Sequence, residues 1–152
     1  MNITLLGALL LGLTTSAASG TECQTSHRDH QWEGYSHADI VLAVGAIKKS
    51  HEFSIALPSM APAQMFRIGS AAEAIWVLEA SRKFETIRCD SPAVEEYQWE
   101  FAIIQASWDA GGVTSCQVHR KTFVTDEGKP DALSDVSPFD STSTCAEFIE
   151  KP

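Results

Sequence analysis

Glu100 and Arg120 are the two residues whose types and spacing point most clearly to chemistry. Apolar and polar residues alternate over 97–108, which predicts a strand that contains Glu100, and 115–125 predicts the next strand, with Arg120 in it. A carboxylate in a central strand must face solvent in a cleft or pair with a cation, because burying an unpaired charge is very costly. Two interpretations stay open: a cross-strand salt bridge, or a phosphate-binding guanidinium beside a general base.

The same alternation assigns side chains to the two faces of the sheet. It places Trp99 and Phe101 on the face expected to form the core, and it places Glu100 on the less bulky face. In the next strand, it sends His119 to the face opposite Arg120. We therefore expect the carboxylate and the guanidinium to share a hollow that His119 does not enter.

Three histidines near the start of the chain, His27, His30 and His37, have a spacing that can hold a metal ion. We interpret 21–35 instead as an irregular polar arm held by Cys23, because the segment is rich in His, Ser and Asp. The cysteines stand singly, which argues against zinc, and no nucleotide or dinucleotide motif is present. The sequence predicts neither a metal nor a cofactor.

One amphipathic helix is predicted over 37–49. Ser36 and Asp39 have the spacing of a capping box, in which each side chain satisfies a backbone amide at the start of the helix. Apolar residues recur at helical spacing after them, and Lys48 and Lys49 favour the carbonyl end of the helix dipole. The pattern predicts a helix that packs on a sheet.

After this helix the period changes to that of strands. The predicted strands cover 53–57, 64–68, 74–79, 83–88, 97–108, 115–125, 131–137 and 144–149. Periodicity alone leaves a second short helix open over 71–81. One early helix followed by antiparallel strands predicts an α+β fold, with the helix packed on a twisted antiparallel β-sheet.

Composition and the first residues predict a secreted single domain. The chain has 152 residues, 44% of them hydrophobic, and a formal charge of −9, which argues against tight binding to DNA or to an anionic membrane. RNA cleavage remains compatible, since turnover needs only transient contact. The uncharged start, with its apolar run 5–13 and small residues at Ser16 and Ala18, predicts a signal peptide over 1–18 and a mature domain over 19–152.

All four cysteines lie in the predicted mature domain, which indicates two disulfides in an oxidising compartment. Three pairings are possible. We favour Cys23 with Cys145, which would join the chain ends, and Cys89 with Cys116, which would flank a hairpin.

The segment 97–103 (YQWEFAI), Arg120, Gly128 and a cysteine on the last predicted strand resemble the small secreted fungal guanyl-preferring ribonucleases. In that family a strand of the form YxEWPI or YQEFPI carries the catalytic Glu, and a strand of the form DRVVF carries the Arg. A single early helix is followed by a YPHxY or YPHxF segment with a His, to which 50–53 (SHEF) corresponds here. The resemblance implies a microbial ribonuclease-like architecture.

The resemblance also implies a mechanism of RNA transesterification. Glu100, helped by His51, would take the 2'-hydroxyl proton, and Arg120 would stabilise the phosphorane charge. Where the family has a second His that protonates the leaving oxygen, this chain has Asp135. Losing a positioned acid typically costs about 10²- to 10⁴-fold in rate.

A ribonuclease-like scaffold without its second histidine also resembles the ribonuclease-like secreted effectors of plant-pathogenic fungi, which are mostly inactive. Our first hypothesis is therefore a secreted, monomeric effector or interaction protein that binds a host protein or RNA, but neither DNA nor membrane. The alternatives are an active secreted endoribonuclease that uses Glu100, Arg120 and His51, and an allergen-like or structural β protein.

Overall fold

Strands dominate this molecule. The computed structural model describes residues 25–50, 57, 64–67, 72–126, 128–131 and 138–150. Strands account for 58% of the structure, in an antiparallel sheet curled into a half-barrel. The predicted α+β class with ribonuclease-like architecture is therefore wrong, and the fold is mostly β with short helices.

The elements follow one another in a simple order. They are β1 (Ser26–Asp29), β2 (Glu33–Gly34), α1 (His37–Ser50), β3 (Gln64–Arg67), β4 (Glu73–Ile87), β5 (Val94–Asp109), β6 (Gly112–Thr125), β7 (Ser141–Thr144) and α2 (Cys145–Glu150). The strand order is β1-β4-β5-β6-β7, and β2 and β3 also pair with β4. Neither helix has the length and apolar character to span a membrane.

Three long neighbouring strands explain the curl. β4, β5 and β6 have 15, 16 and 14 residues, and strands of this length accumulate the right-handed twist of a sheet. The register between β5 and β6 shifts at Ser107 and Trp108 and leaves Thr114 as an extra residue. A bulge of this kind increases the local bend.

β4 differs from its prediction in length. The segments 74–79 and 83–88 belong to one continuous strand, and the alternative helix over 71–81 is wrong. The segment 73–87 contains neither glycine nor proline, so nothing in it ends the strand. The polar arm predicted over 21–35 is in part regular, because β1 and β2 both pair with β4.

The main core lies on the face of the sheet that we expected to be less bulky. α1 packs on this face, and the core there includes Ile40, Val44, Ile47, Trp76, Leu78, Ala102, Ile104 and Val118. The predicted core face forms a second, smaller cluster of Ile75, Val77, Phe101 and Ile103. Both faces of the central strands are therefore apolar, and only the position of α1 decides which face carries the main core.

A capping box precedes each of the two helices. The prediction of α1 is confirmed: the Ser36 amide donates to Asp39 Oδ2 at 2.6 Å, and Asp39 is buried. The predicted final strand over 144–149 is wrong, because 145–150 form α2, and Thr144, the last residue of β7, caps this helix. The Thr144 amide donates to Glu147 Oε2 at 3.1 Å, and the Glu147 amide donates to Thr144 Oγ1 at 3.2 Å.

The disulfide pairing differs from both predicted bonds. Cys116 on β6 bonds to Cys145 at the start of α2, with their Cα atoms 5.4 Å apart. Neither Cys23–Cys145 nor Cys89–Cys116 can therefore form. Cys89 is itself disulfide-bonded, and Cys23 lies outside the described residues. The pairing of Thr144 with Gln117 at the end of β7 places the next residue, Cys145, close to Cys116.

Candidate functional site

Glu100 and Arg120 meet on the face of the sheet that carries α1 and the main core. The register pairs Glu100 with Thr122 and Ala102 with Arg120, so the two side chains are diagonal neighbours on one face. Arg120 Nη1 donates to Glu100 Oε1 at 2.9 Å, and the two side chains are 33% and 23% exposed. The two side chains share one face, as the alternation predicts, but the expected shared hollow is not found there, because Glu100 is not among the described residues that line the cavity beside Arg120.

Tyr35 is a third member of this group that the sequence did not indicate. Its hydroxyl donates to Glu100 Oε1 at 2.7 Å, and its side chain is 8% exposed. Burial and the neighbouring carboxylate of Glu100 both raise the pKa of Tyr35 far above its usual range. Tyr35 therefore stays protonated and acts as a permanent donor to Glu100.

Gly34 explains how Tyr35 reaches that position. Gly34 has a φ of +124°, and a Cβ at this position would lie 2.4 Å from the carbonyl oxygen of Glu79. Only glycine fits so close an approach of β2 to β4 in this conformation. The backbone of Gly34 thus sets Tyr35 at the start of α1, above Glu100.

A hollow of about 530 Å³ opens beside Arg120. We name it the Arg120 hollow; its lining residues are His37, Val118, Arg120, Ser141, Ser143, Glu147 and Phe148. Neither Glu100 nor Tyr35 is among the described residues that line it. Arg120 therefore borders the hollow, while Glu100, which accepts from both Arg120 and Tyr35, is outside the described lining.

Phe148 of α2 is the shared floor of the hollow. The ring of His37 stacks on Phe148 with centroids 4.8 Å apart, and Arg120 Cζ lies 5.2 Å from the Phe148 centroid. A guanidinium over an aromatic face is attracted by the ring quadrupole. Phe148 thus fixes an imidazole and a guanidinium in the same cavity.

His119 lies on the other face of the sheet, as the alternation predicts. Its register partner on β5 is Ile103, which belongs to the second apolar cluster. His119 Nδ1 shares a 2.9 Å hydrogen bond with Thr142 Oγ1, and burial lowers the pKa of the imidazole. His119 therefore cannot serve as an acid in the Arg120 hollow.

A second guanidinium, that of Arg82 on β4, lies on the same face of the sheet as Glu100. Arg82 donates from Nε and Nη2 to Gln98 Oε1 at 3.0 and 2.7 Å, and its Cζ lies 4.9 Å from the centroid of a Trp32 ring. Arg82 also borders a cavity of about 310 Å³ near His30. Lys83 also lines this cavity and pairs with Glu95, so both cations of the cavity have polar partners.

The remaining candidates do not join the site. His51 and Asp135 lie outside the described residues. His27 and His30 are exposed near β1, and His37 is turned toward Phe148 instead. No three His, Cys, Asp or Glu residues come together as metal ligands in the described part of the chain.

His37 and Phe148 are the hollow residues that sequence reasoning missed. His37 is predicted as the first residue of the helix over 37–49 and as one of three histidines with a spacing that can hold a metal ion, and neither prediction indicates a cavity. Phe148 was assigned to a strand, although Thr144 and Glu147 show the spacing of a capping box. That second cap is the signal in the sequence that indicates α2, and with it the floor of the hollow.

Comparisons with protein-family models, with curated proteins and with solved structures gave no match for this chain. The resemblance to ribonucleases and to ribonuclease-like effectors stays a prediction.

Proposed function

We propose that this chain is a secreted interaction protein that binds a partner protein through the Arg120 hollow and does not cleave RNA efficiently. One observation carries the proposal: Glu100 is not among the described residues that line the hollow, and its Oε1 accepts hydrogen bonds from both Tyr35 and Arg120. A general base must reach the proton that it removes. Glu100 is placed to orient Arg120 rather than to meet a substrate in the hollow.

The lining of the hollow suits recognition of a side chain. Arg120, Ser141 and Ser143 offer hydrogen-bond donors, while Val118 and Phe148 offer apolar surface. A partner side chain with a neutral acceptor on an apolar stem, such as Gln, matches this combination, because Glu147 also lines the hollow and would repel a carboxylate. Arginine clamped over an aromatic ring is also a common anchor of protein interfaces.

The charge of the chain favours a protein over RNA as the partner. The formal charge is −9, and binding to a phosphate array depends on clustered Lys and Arg. Among the described residues that line the hollow, Arg120 is the only lysine or arginine. Its positive charge is paired with the carboxylate of Glu100. A polyanion would therefore gain little here.

An assay of RNA cleavage tests the catalytic half of the proposal. Purified wild-type protein, Glu100→Gln and the control Glu85→Gln are incubated with RNA from acid to alkaline pH. Glu85 lies on β4 and points to the opposite face of the sheet, so its change controls for charge. We expect no cleavage above background by any of the three. Cleavage that only Glu100→Gln abolishes would overturn the proposal.

Affinity capture from a plant cell extract tests the binding half. Ser143→Trp fills the hollow with a large ring, while Ser115→Trp places the same ring on the other face of β6. We expect a partner that wild type and Ser115→Trp retain and that Ser143→Trp loses. Equal retention by both variants would show that binding does not use the hollow.

An active endoribonuclease is the second candidate, and one observation favours it. The fold places His37, an imidazole that can donate a proton, in the same cavity as Arg120. Arg120 as the cation and His37 as the acid would meet two of the three chemical needs of transesterification inside the hollow, and Glu100, bonded to Arg120 but outside the described lining, would have to supply the base. Cleavage lost in both Glu100→Gln and His37→Gln would support this candidate.

A further inference from the structure

β7 forms one wall of the Arg120 hollow. Directly before it, the Asp140 amide donates to the Arg120 carbonyl at 2.9 Å, and Asp140 Oδ2 accepts from the Thr122 amide at 2.7 Å. β7 has four residues at the edge of the sheet and pairs with 117–120 of β6. Ser141 and Ser143 line the hollow from this strand. Because a short edge strand is bonded on one side only, its attachment depends strongly on the side chains that pack under it.

His119 is the side chain that fastens β7 from the opposite face. Its ring is 6% exposed and stacks on Phe139, with centroids 4.2 Å apart and an interplanar angle of 15°. Its Nδ1 shares a 2.9 Å hydrogen bond with Thr142 Oγ1. Its Nε2 is buried and has no hydrogen-bond partner among the described residues.

The surroundings of His119 suit a neutral ring and not a charged one. The ring faces Ile103 on β5, and the next side chain on its own face of β6 is Lys121. Lys121 pairs with Asp140 at 3.2 Å, and on β4 Glu79 pairs with Lys129. Both carboxylates are thus already engaged with lysines. A proton on Nε2 would be a buried donor without an acceptor, which is costly.

We propose that protonation of His119 detaches β7 from β6 and opens the Arg120 hollow. Release of β7 frees Phe139 and Thr142 from the ring and lets the imidazolium reach water. The disulfide from Cys116 to Cys145 still ties α2 to β6, so Phe148 stays beneath Arg120. Acidification thus removes the wall of Ser141 and Ser143 but leaves the floor.

The linkage between proton binding at His119 and the opening of β7 gives the direction of the pH dependence. Burial lowers the pKa of His119 in the closed state below its ordinary value of 6.5. The closed state is therefore fully stabilised above pH 6.5 and loses that stabilisation as pH falls toward the lowered pKa. In the window between pH 6.5 and the lowered pKa of His119, the equilibrium constant for opening rises by up to about tenfold for each unit by which the pH falls. Below the lowered pKa, this constant levels off.

Nuclear magnetic resonance on the wild-type protein tests the proposal without a ligand. Ring resonances report the protonation of His119, and amide hydrogen exchange, corrected for its intrinsic pH dependence, reports protection of β7 and α1. We expect protection of the Ser143 amide to fall as pH drops through the window, while protection of Val44 in α1 persists. Only the consequence for partner binding rests on the proposed function, so failure of binding would leave this result intact.

Two outcomes would overturn the proposal. One is protonation of His119 in the folded protein with unchanged protection of Ser143. The other is a parallel loss of protection at Val44, which would mean global unfolding. A variant pair sharpens the test: His119→Phe keeps a neutral ring against Phe139 and should abolish the pH dependence, whereas His27→Phe removes an exposed histidine and should retain it. If His119→Phe does not fold, the wild-type titration alone decides.

Discussion

Tyr35 and Glu100 are separated by 65 positions in the chain, yet a 2.7 Å hydrogen bond joins the hydroxyl of one to the carboxylate of the other. Glu100 Oε1 receives Arg120 at the same point. The three side chains form a relay that begins beside β2, crosses β5 and ends on β6. Its effect is to aim one guanidinium into the Arg120 hollow.

Tyr35→Phe should lower the free energy of unfolding by about 1.5–3 kcal/mol, the usual range for a hydrogen bond to a charged group. The ring and its packing are kept, so the loss reports the hydroxyl alone. Urea denaturation measures it, and Tyr97→Phe is the matched control, because the Tyr97 hydroxyl has no hydrogen bond within the described ranges. Equal losses in both variants would contradict the relay.

Alkaline titration should show Tyr35 ionising only when the protein unfolds. Its pKa is raised, so its stabilising contribution is complete below the ordinary value of 10.0 and is lost as pH rises beyond it. Tyrosinate absorbance should therefore gain a late phase that coincides with loss of near-ultraviolet circular dichroism. That phase should vanish in Tyr35→Phe, and its persistence there would refute the assignment.

Gly34→Ala should destabilise the protein more than Gly112→Ala does. Both glycines have positive φ, +124° and +121°, but a Cβ at Gly34 would meet the Glu79 carbonyl at 2.4 Å, whereas Gly112 has nothing within 4 Å. Gly112→Ala reports backbone strain alone, about 1–3 kcal/mol. Thermal unfolding measures both variants, and a smaller loss in Gly34→Ala would show that β2 moves away from β4 easily.

Removing the disulfide with Cys116→Ser and Cys145→Ser together should cost about 3–4 kcal/mol in the chain-entropy model, since the bond spans a sequence separation of 29. Denaturation of the double variant under oxidising conditions measures the loss. Because α2 has only six residues, it should also lose its helix when the bond is absent. Unchanged stability would show that Phe148 anchors α2 without help.

Local patterns were sufficient for several features. The helix cap at Ser36 and Asp39 predicts α1 because both partners lie within one turn. Strict alternation places Glu100 and Arg120 on one face and His119 on the other, because successive side chains in a strand must point to opposite sides. Each of these features depends on residues that are close in sequence or on a fixed geometric period.

The fold class, the core face and the disulfide could not be obtained in this way. Residues on both sides of β5 are apolar, so alternation cannot say which face α1 covers. Phe101 and Ile104 are equally plausible core residues by pattern, and both are buried, in different clusters. Cysteine spacing likewise leaves three pairings open, and proximity of Cys116 to the end of β7 selects one.

What the sequence determined by itself is a pair, Glu100 with Arg120, on one side of two neighbouring strands. What only the tertiary structure decided is the surroundings of that pair: Tyr35 bonded to Glu100, and His37 and Phe148 in the hollow with Arg120. The physical reason is that these contacts come from the ends of the described chain, brought together when the long strands curl and bury their apolar faces. Burial is a property of the whole sheet, and no local period encodes it.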